Sequence, residues 1–316
     1  MDAHAYILPV DLLFCKILFQ ATLQLCSLPA EHLLHLCIHS AARCKVKCHL
    51  SPLHHLVNFA GLNPKEIETL SLVRRSPGYN PVFKTVIPPL KEAALPLANL
   101  TNSTVPVRVY SDRSGFEGDI GASALLYINE RLARSIQVYL GTAQEHTVYE
   151  AKGVGLLMGL HLLNGLSRRP SHPTIMGTDS QAVIKALQNQ RSHPGQYLLD
   201  AIHGAAERLH AKQDGLINND ACQLALGDGV QWKGKTRGII DLQLHWVPGH
   251  CDFGPNERAD EEAKLAAQGS SSDIRFLPQL LHRKLPLSIS VLRQENNDRL
   301  KRRWHRRWNN SERNTC

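Results

Sequence analysis

A chain of 316 residues, 43% hydrophobic and 20% charged, has room for one large or two modest domains with a sizeable core, which excludes a disordered polyelectrolyte. The 36 Lys and Arg outweigh the 28 Asp and Glu, leaving +8 at pH 7, a balance that favours a polyanionic partner without specifying one. Of eight cysteines, five (Cys15, Cys26, Cys37, Cys44, Cys48) fall within the first fifty residues and the others are scattered, so they read as reduced thiols of an intracellular protein, nucleus or cytoplasm undistinguished. The apolar stretch 5–26 is interrupted by Asp11 and Lys16, lacks a preceding basic segment and falls short of the roughly 18 uninterrupted residues a membrane span needs. Neither signal peptide nor transmembrane helix is expected.

Residues 1–103 open with a mixed amphipathic pattern (Leu8, Leu12, Leu13, Ile17, Leu18) that predicts helix, then pass into a loop-rich connector through Ser76-Pro77-Gly78 and Pro88-Pro89. Cys44 and Cys48 are followed by adjacent His54 and His55, without the histidine spacing of a zinc site. From residue 105 the texture changes. Segments 105–110, 121–128 and 132–139 read as strands, with Asn129-Glu130-Arg131 as the hairpin turn between the second and third. Helix is expected over 147–164, strand over 174–178 and helix over 180–189; His193-Pro194-Gly195 then breaks the chain before a helix over 197–210. Residues 212–238 read as a polar, glycine-containing loop, 241–247 as the last strand and 256–268 as the last core helix. Three consecutive strands followed by strand–helix alternation predict an α/β fold: a five-stranded mixed sheet, three antiparallel strands and then parallel ones, flanked by helices. Beyond Ser270-Ser271-Ser272, a helix over 292–308 aligns Leu300, Trp304 and Trp308 on one face, with Lys301, Arg302, Arg303, Arg306 and Arg307 around them. The expected organisation is a helical and connector segment 1–103, a domain 104–269 and a basic helical tail 270–316.

Four carboxylates stand out: Asp112, Glu150, Asp179 and Asp260. Singly, each has a structural explanation: a turn after a strand for Asp112, a capping box Thr147-x-x-Glu150, an N-cap at Asp179, and an ion pair of Asp260 with Lys264. Together they point elsewhere. Asp112 is expected to end the first strand and Asp179 the fourth, with Glu150 on the first core helix and Asp260 on the last, so a central strand pair would bring all four to one edge. Four converging carboxylates repel and raise one another's pKa, which makes sense around hard divalent cations with oxygen ligands. His250, ten residues before Asp260, adds a candidate proton donor.

The order Asp, Glu, Asp, Asp, with Ser111-Asp112-Arg113-Ser114, Thr178-Asp179-Ser180 and Pro248-Gly249-His250-x5-Asn256-Glu257-x-Ala259-Asp260, resembles the type 1 ribonuclease H domain over about residues 105–268, roughly half the chain. The resemblance implies a ribonuclease H-like fold in which Asp112, Glu150, Asp179 and Asp260 hold two Mg²⁺, with Mn²⁺ as substitute, and His250 assists proton transfer and product release from a mobile loop. The implied reaction is hydrolysis of the RNA strand of an RNA–DNA hybrid to 5′-phosphate and 3′-hydroxyl ends, the strand being chosen by contacts to the 2′-hydroxyl. The family has Gly after the first Asp; here a long cation, Arg113, either contacts phosphate or disturbs the first metal position. The basic helical protrusion of many cellular relatives is replaced by the short break at His193-Pro194-Gly195. Hybrid contacts are therefore expected from Lys233, Lys235 and Arg237 beside Trp232, from Arg302, Arg303 and Arg306 of the tail, and from Arg113, Ser114 and Asn256 near the carboxylates. The flanks resemble segments around the ribonuclease H domain of non-LTR retroelement polyproteins, although no Tyr-x-Asp-Asp polymerase motif is present. The alternatives are a catalytically silent retroelement relic that binds nucleic acid and, less favoured by the Pro-Gly-His…Asp ending, a ribonuclease H-like DNA nuclease or integrase.

Overall fold

The computed structural model describes residues 8–43, 50–71, 76, 78–166, 174–189, 191–228, 242–249 and 251–310. Packing divides the chain into two units, one drawn from residues 74–191 and 195–285, the other from 1–73, 192–194 and 286–316.

The first unit is built on a six-stranded sheet. Strands β2 (Val107–Phe116), β3 (Asp119–Ile128) and β4 (Arg131–Thr142) form an antiparallel meander. Its turns use left-handed backbone, at Glu117 and Gly118 (φ 50° and 93°) and at Asn129 (φ 52°), the conformation that Gly and Asn accept most readily. On the other side of β2 the sheet continues in parallel through β5 (Thr174–Thr178) and β6 (Leu242–Trp246). Every residue of β5 is buried, as expected for a central parallel strand covered on both faces. The mixed sheet expected from sequence is therefore present, with one strand more than the five predicted. Strand β1 (Lys84–Val86), from the segment read as connector, adds to β6 in parallel with Lys84 opposite Gln243. Three residues are too few to show a period-2 pattern, so this edge strand is defined by its partner.

Helix α4 (Lys91–Thr104) follows the Pro88-Pro89 break, and α5 (Val148–Asn164) and α8 (Gly254–Ala267) cover the sheet. Alternation along β2 sends Ser111 and Asp112 to opposite faces. A Cβ on Gly155 of α5 would lie 3.1 Å from Ser111 Cβ, so α5 occupies that face. On the other face Ser123, opposite Asp112 in the ladder, donates to Ala259 O of α8 at 2.6 Å, and a Cβ on Gly121 would fall 2.3 Å from Ala267 N. Only glycine lets α8 come this close to β3. Helix α6 (Gln181–Gln188) matches expectation, whereas α7 (Gln196–Asp228) runs well past residue 210 into the segment read as a polar loop. Gly215 lies inside the helix, where a single glycine costs only about 1 kcal/mol. Residues 270–285 also belong to this unit, where Leu277, Leu281 and Leu285 join the core of Val109, Leu126, Leu156 and Met176.

The second unit is helical: α1 (Val10–Cys26), α2 (His35–Arg43), α3 (Pro52–Ala60) and α9 (Ile289–Asn309). Phe19, Leu23, Cys26, Ile38, Val57, Ile67 and Ile289 form its core. The basic tail helix is thus an integral element. Leu300 is buried, the Arg299 guanidinium stands 6.0 Å from the Phe19 ring centre, and Arg307 pairs with Asp11 at 2.6 Å. Among the described residues no helix is long and apolar enough to cross a membrane.

Candidate carboxylate site

Asp112 lies inside β2 instead of at its end, because the strand continues through Phe116. Its position opposite Ser123 aims it at α8, where it is 7% exposed. Its Oδ2 accepts from Asn256 Nδ2 at 3.2 Å, and its Oδ1 from the Arg113 backbone N–H at 2.7 Å. Asp179 follows β5 directly. Ser180, and not Asp179, caps α6 by accepting from Val183 N at 3.3 Å, which leaves the Asp179 carboxylate to other uses. Trp246 Nε1 donates to the Asp179 carbonyl at 3.0 Å, and a Cβ on Gly249 would lie 3.1 Å from Asp179 Oδ2, so glycine permits the turn after β6 to approach the acid. Asp260 comes from α8, 4.0 Å from Lys264 Nζ.

These three acids surround one cavity of about 260 Å³, also lined by Gly249, Asn256, Glu257 and Glu261. Burial first, and then repulsion from Asp179, push the Asp112 carboxyl up to about 6; the Arg113 N–H and Lys152 oppose the rise and Asp260 adds to it. Lys152 Nζ contacts Asp179 Oδ1 at 2.5 Å, with side chains only 13% and 17% exposed.

Glu150 is placed differently. It is 1% exposed, at the start of α5, and does not line the cavity. Its Oε2 accepts from Thr147 N at 2.7 Å and Thr147 Oγ1 at 2.9 Å, while Glu150 N donates back to Thr147 Oγ1, so the capping box is real. Among the described residues no three His, Cys, Asp or Glu side chains form a cluster that holds a metal as they stand. The donor chemistry nevertheless fits a hard divalent cation: oxygen ligands, an excess of negative charge, and a carboxyl pushed up by burial and then by its acidic neighbours.

His250, Lys233, Lys235 and Arg237 lie outside the described residues. Arg113 is half-buried on β2, whereas Ser114 and Asn256, expected as nucleic-acid contacts, are 6% and 4% exposed. Asn256 serves the site by holding Asp112. Arg302, Arg303 and Arg306 are exposed on α9 of the helical unit. Sequence reasoning passed over Lys152, Glu257 and Glu261. Lys152 had a signal, since it is the one lysine in the largely apolar α5, and the two glutamates stand three before and one after Asp260 on the same helix.

No protein-family profile matches the chain, and no curated protein does. Among solved structures it is similar to the N-terminal RNase H domain of a Mycobacterium tuberculosis protein, solved as a fusion with maltose-binding protein (16% identity, 51% of this chain and 98% of that one, TM-score 0.35). It is likewise similar to RNase H1 of the halophilic archaeon Halobacterium salinarum (18%, 52% and 98%, TM-score 0.33) and to LC11-RNase H1 in complex with an RNA/DNA hybrid (14%, 52% and 97%, TM-score 0.31). Likeness at this level leaves the functional reading to the site's own residues.

Proposed function

We propose that the sheet unit is a metal-dependent endoribonuclease that hydrolyses the RNA strand of RNA–DNA hybrids. The observation that supports it most is the cavity between β2, β5 and α8, where Asp112, Asp179 and Asp260 meet and the Asp112 carboxyl is pushed up by burial and by its acidic neighbours. In this reading those acids, with Glu150 from α5, hold Mg²⁺ or Mn²⁺, which when bound would activate water and stabilise the leaving oxygen. The chain's own residues supply orientation. Asn256 and the Arg113 N–H fix both oxygens of Asp112, and the Ser180 cap spares Asp179; the proton-donor role is assigned to His250 from its sequence motif alone. Hybrid contacts are assigned to Arg113, to Lys233, Lys235 and Arg237, and to the exposed Arg302, Arg303 and Arg306. The retroelement origin is proposed from the flanks' resemblance alone.

A second reading, nucleic-acid binding without cleavage, is favoured by the Lys152–Asp179 ion pair, which places a protein cation on a metal ligand. Incubating the purified chain with a labelled hybrid and Mg²⁺ or Mn²⁺ separates the two. RNA-strand cutting that stops with EDTA and in Asp179→Asn supports the enzyme; retention of the hybrid without cutting supports the second reading; equal cutting of duplex DNA removes the hybrid specificity.

A further inference from the structure

We infer that Lys152 is a built-in counter-cation of the carboxylate site, seated on Asp179 Oδ1, whose charge opposes loading of the divalent ion. The inference rests on the metal-binding reading above and concerns a residue which that reading does not require.

Three observations point to it. The contact is short, 2.5 Å from Nζ to Oδ1, and largely shielded from water. The other ion pairs of the neighbourhood are different in kind: Arg258 reaches Glu261 and Glu262 from a side chain 52% exposed, and Lys264 stands 4.0 Å from Asp260 at 60% exposed. Pairs of that sort are worth little, whereas removing one partner of a shielded pair leaves the other charge buried and uncompensated. Secondly, α5 has a reason to exclude lysine there. Ala151, Gly153, Val154, Gly155 and Leu156 around it are all buried, so residue 152 gains nothing from an ammonium except the acid it meets. Thirdly, the charge reaches beyond Asp179: Lys152 is among the groups that hold the Asp112 carboxyl down against burial and repulsion. One lysine thus partly neutralises the acids that line the cavity.

A divalent ion held by Asp179 meets the charge of the ammonium on Oδ1 even where it takes Oδ2, the oxygen beside Gly249 of the cavity lining. Mg²⁺ demands oxygens at about 2.0–2.1 Å in near-octahedral array. A lysine can yield, because its charge sits on a flexible four-carbon stem. The consequence is a site that is partly balanced without metal and requires more metal to fill.

The test is Mn²⁺ binding by the full chain, counted as loss of the free-ion paramagnetic resonance signal, with Mg²⁺ as competitor, in wild type, Lys152→Met and Lys152→Arg. Lys152→Met is expected to bind at least about tenfold more tightly, the order associated with removing a unit charge from beside a carboxylate. Lys152→Arg should stay within the wild-type range, and adding Asp179→Asn to Lys152→Met should cancel the gain. Lys152→Gln serves in place of the methionine variant if the latter does not fold. Equal affinity in wild type and Lys152→Met would overturn the inference while leaving the metal reading intact. No binding in any variant would overturn the metal reading, and the inference with it.

Discussion

Two buried carboxylates, one in each unit, are balanced in opposite ways. Glu68 of the helical unit is 1% exposed, and its Oε1 accepts from Ile289 N at 2.8 Å, so it sits on the positive end of α9 where the backbone offers unpaired N–H groups. The Ile67–Leu287 bridge holds the two segments in place. Asp112 of the sheet unit is 7% exposed and also accepts two hydrogen bonds, yet its further neighbours are Asp179 and Asp260, and its carboxyl is pushed up to about 6. A buried charge met by a helix terminus is a structural joint. One surrounded by like charges calls for a mobile cation, and that difference singles out the candidate cavity.

The largest expected effect separates the two acids by activity. Asp179→Asn should lower hybrid cleavage by more than about 100-fold, beyond what loss of an outer-shell partner brings, whereas Glu68→Gln should cleave as wild type; equal losses in an RNA-strand cleavage assay would erase the contrast. The next is a pH effect in metal-free protein. The folded Asp112 carboxyl binds its proton more tightly than the unfolded one, so stability should fall as pH rises from the ordinary 3.8 through about 6 and then level off. The drop is on the order of 3 kcal/mol at most. Urea unfolding in EDTA across that range should show it, and Asp112→Asn should flatten it; a slope that survives the substitution assigns the effect elsewhere.

Glu68→Ala removes the acceptor from the first turn of α9 and should cost about 2 kcal/mol, the order expected for a buried donor left unsatisfied, read as a lower unfolding midpoint with hybrid cleavage retained. The smallest effect is at α5. Thr147→Ala removes the N-cap acceptor for Glu150 N and should destabilise by about 1 kcal/mol, and a larger loss of cleavage than of stability would show that Thr147 also positions Glu150.

Much of the sheet unit was legible because its signals are local. The Asn129-Glu130-Arg131 turn separated β3 from β4, Thr147-x-x-Glu150 announced the α5 cap, and β5 was read at its observed bounds. Asp112 was recognised by its motif but placed at a strand end, because polar Ser111 to Ser114 conceal a strand that continues beneath α8. The Asp179 cap was displaced by one residue, since Ser180 offers a competing oxygen at nearly the same place. The tail helix was read correctly as a helix with Leu300, Trp304 and Trp308 on one face, but its packing against α1 could not be, because the partner lies almost 300 residues away.

By itself the sequence determined which residues are acids, which segments have helical or extended periodicity, and which motif the carboxylates resemble. Tertiary structure alone decided that Asp112, Asp179 and Asp260 share a cavity while Glu150 is engaged in its own cap, that β1 completes the sheet, and that Lys152 rests on Asp179. The physical reason is distance along the chain. Periodicity and capping act within a few residues, whereas the balance of buried charge depends on side chains brought together from four separate elements.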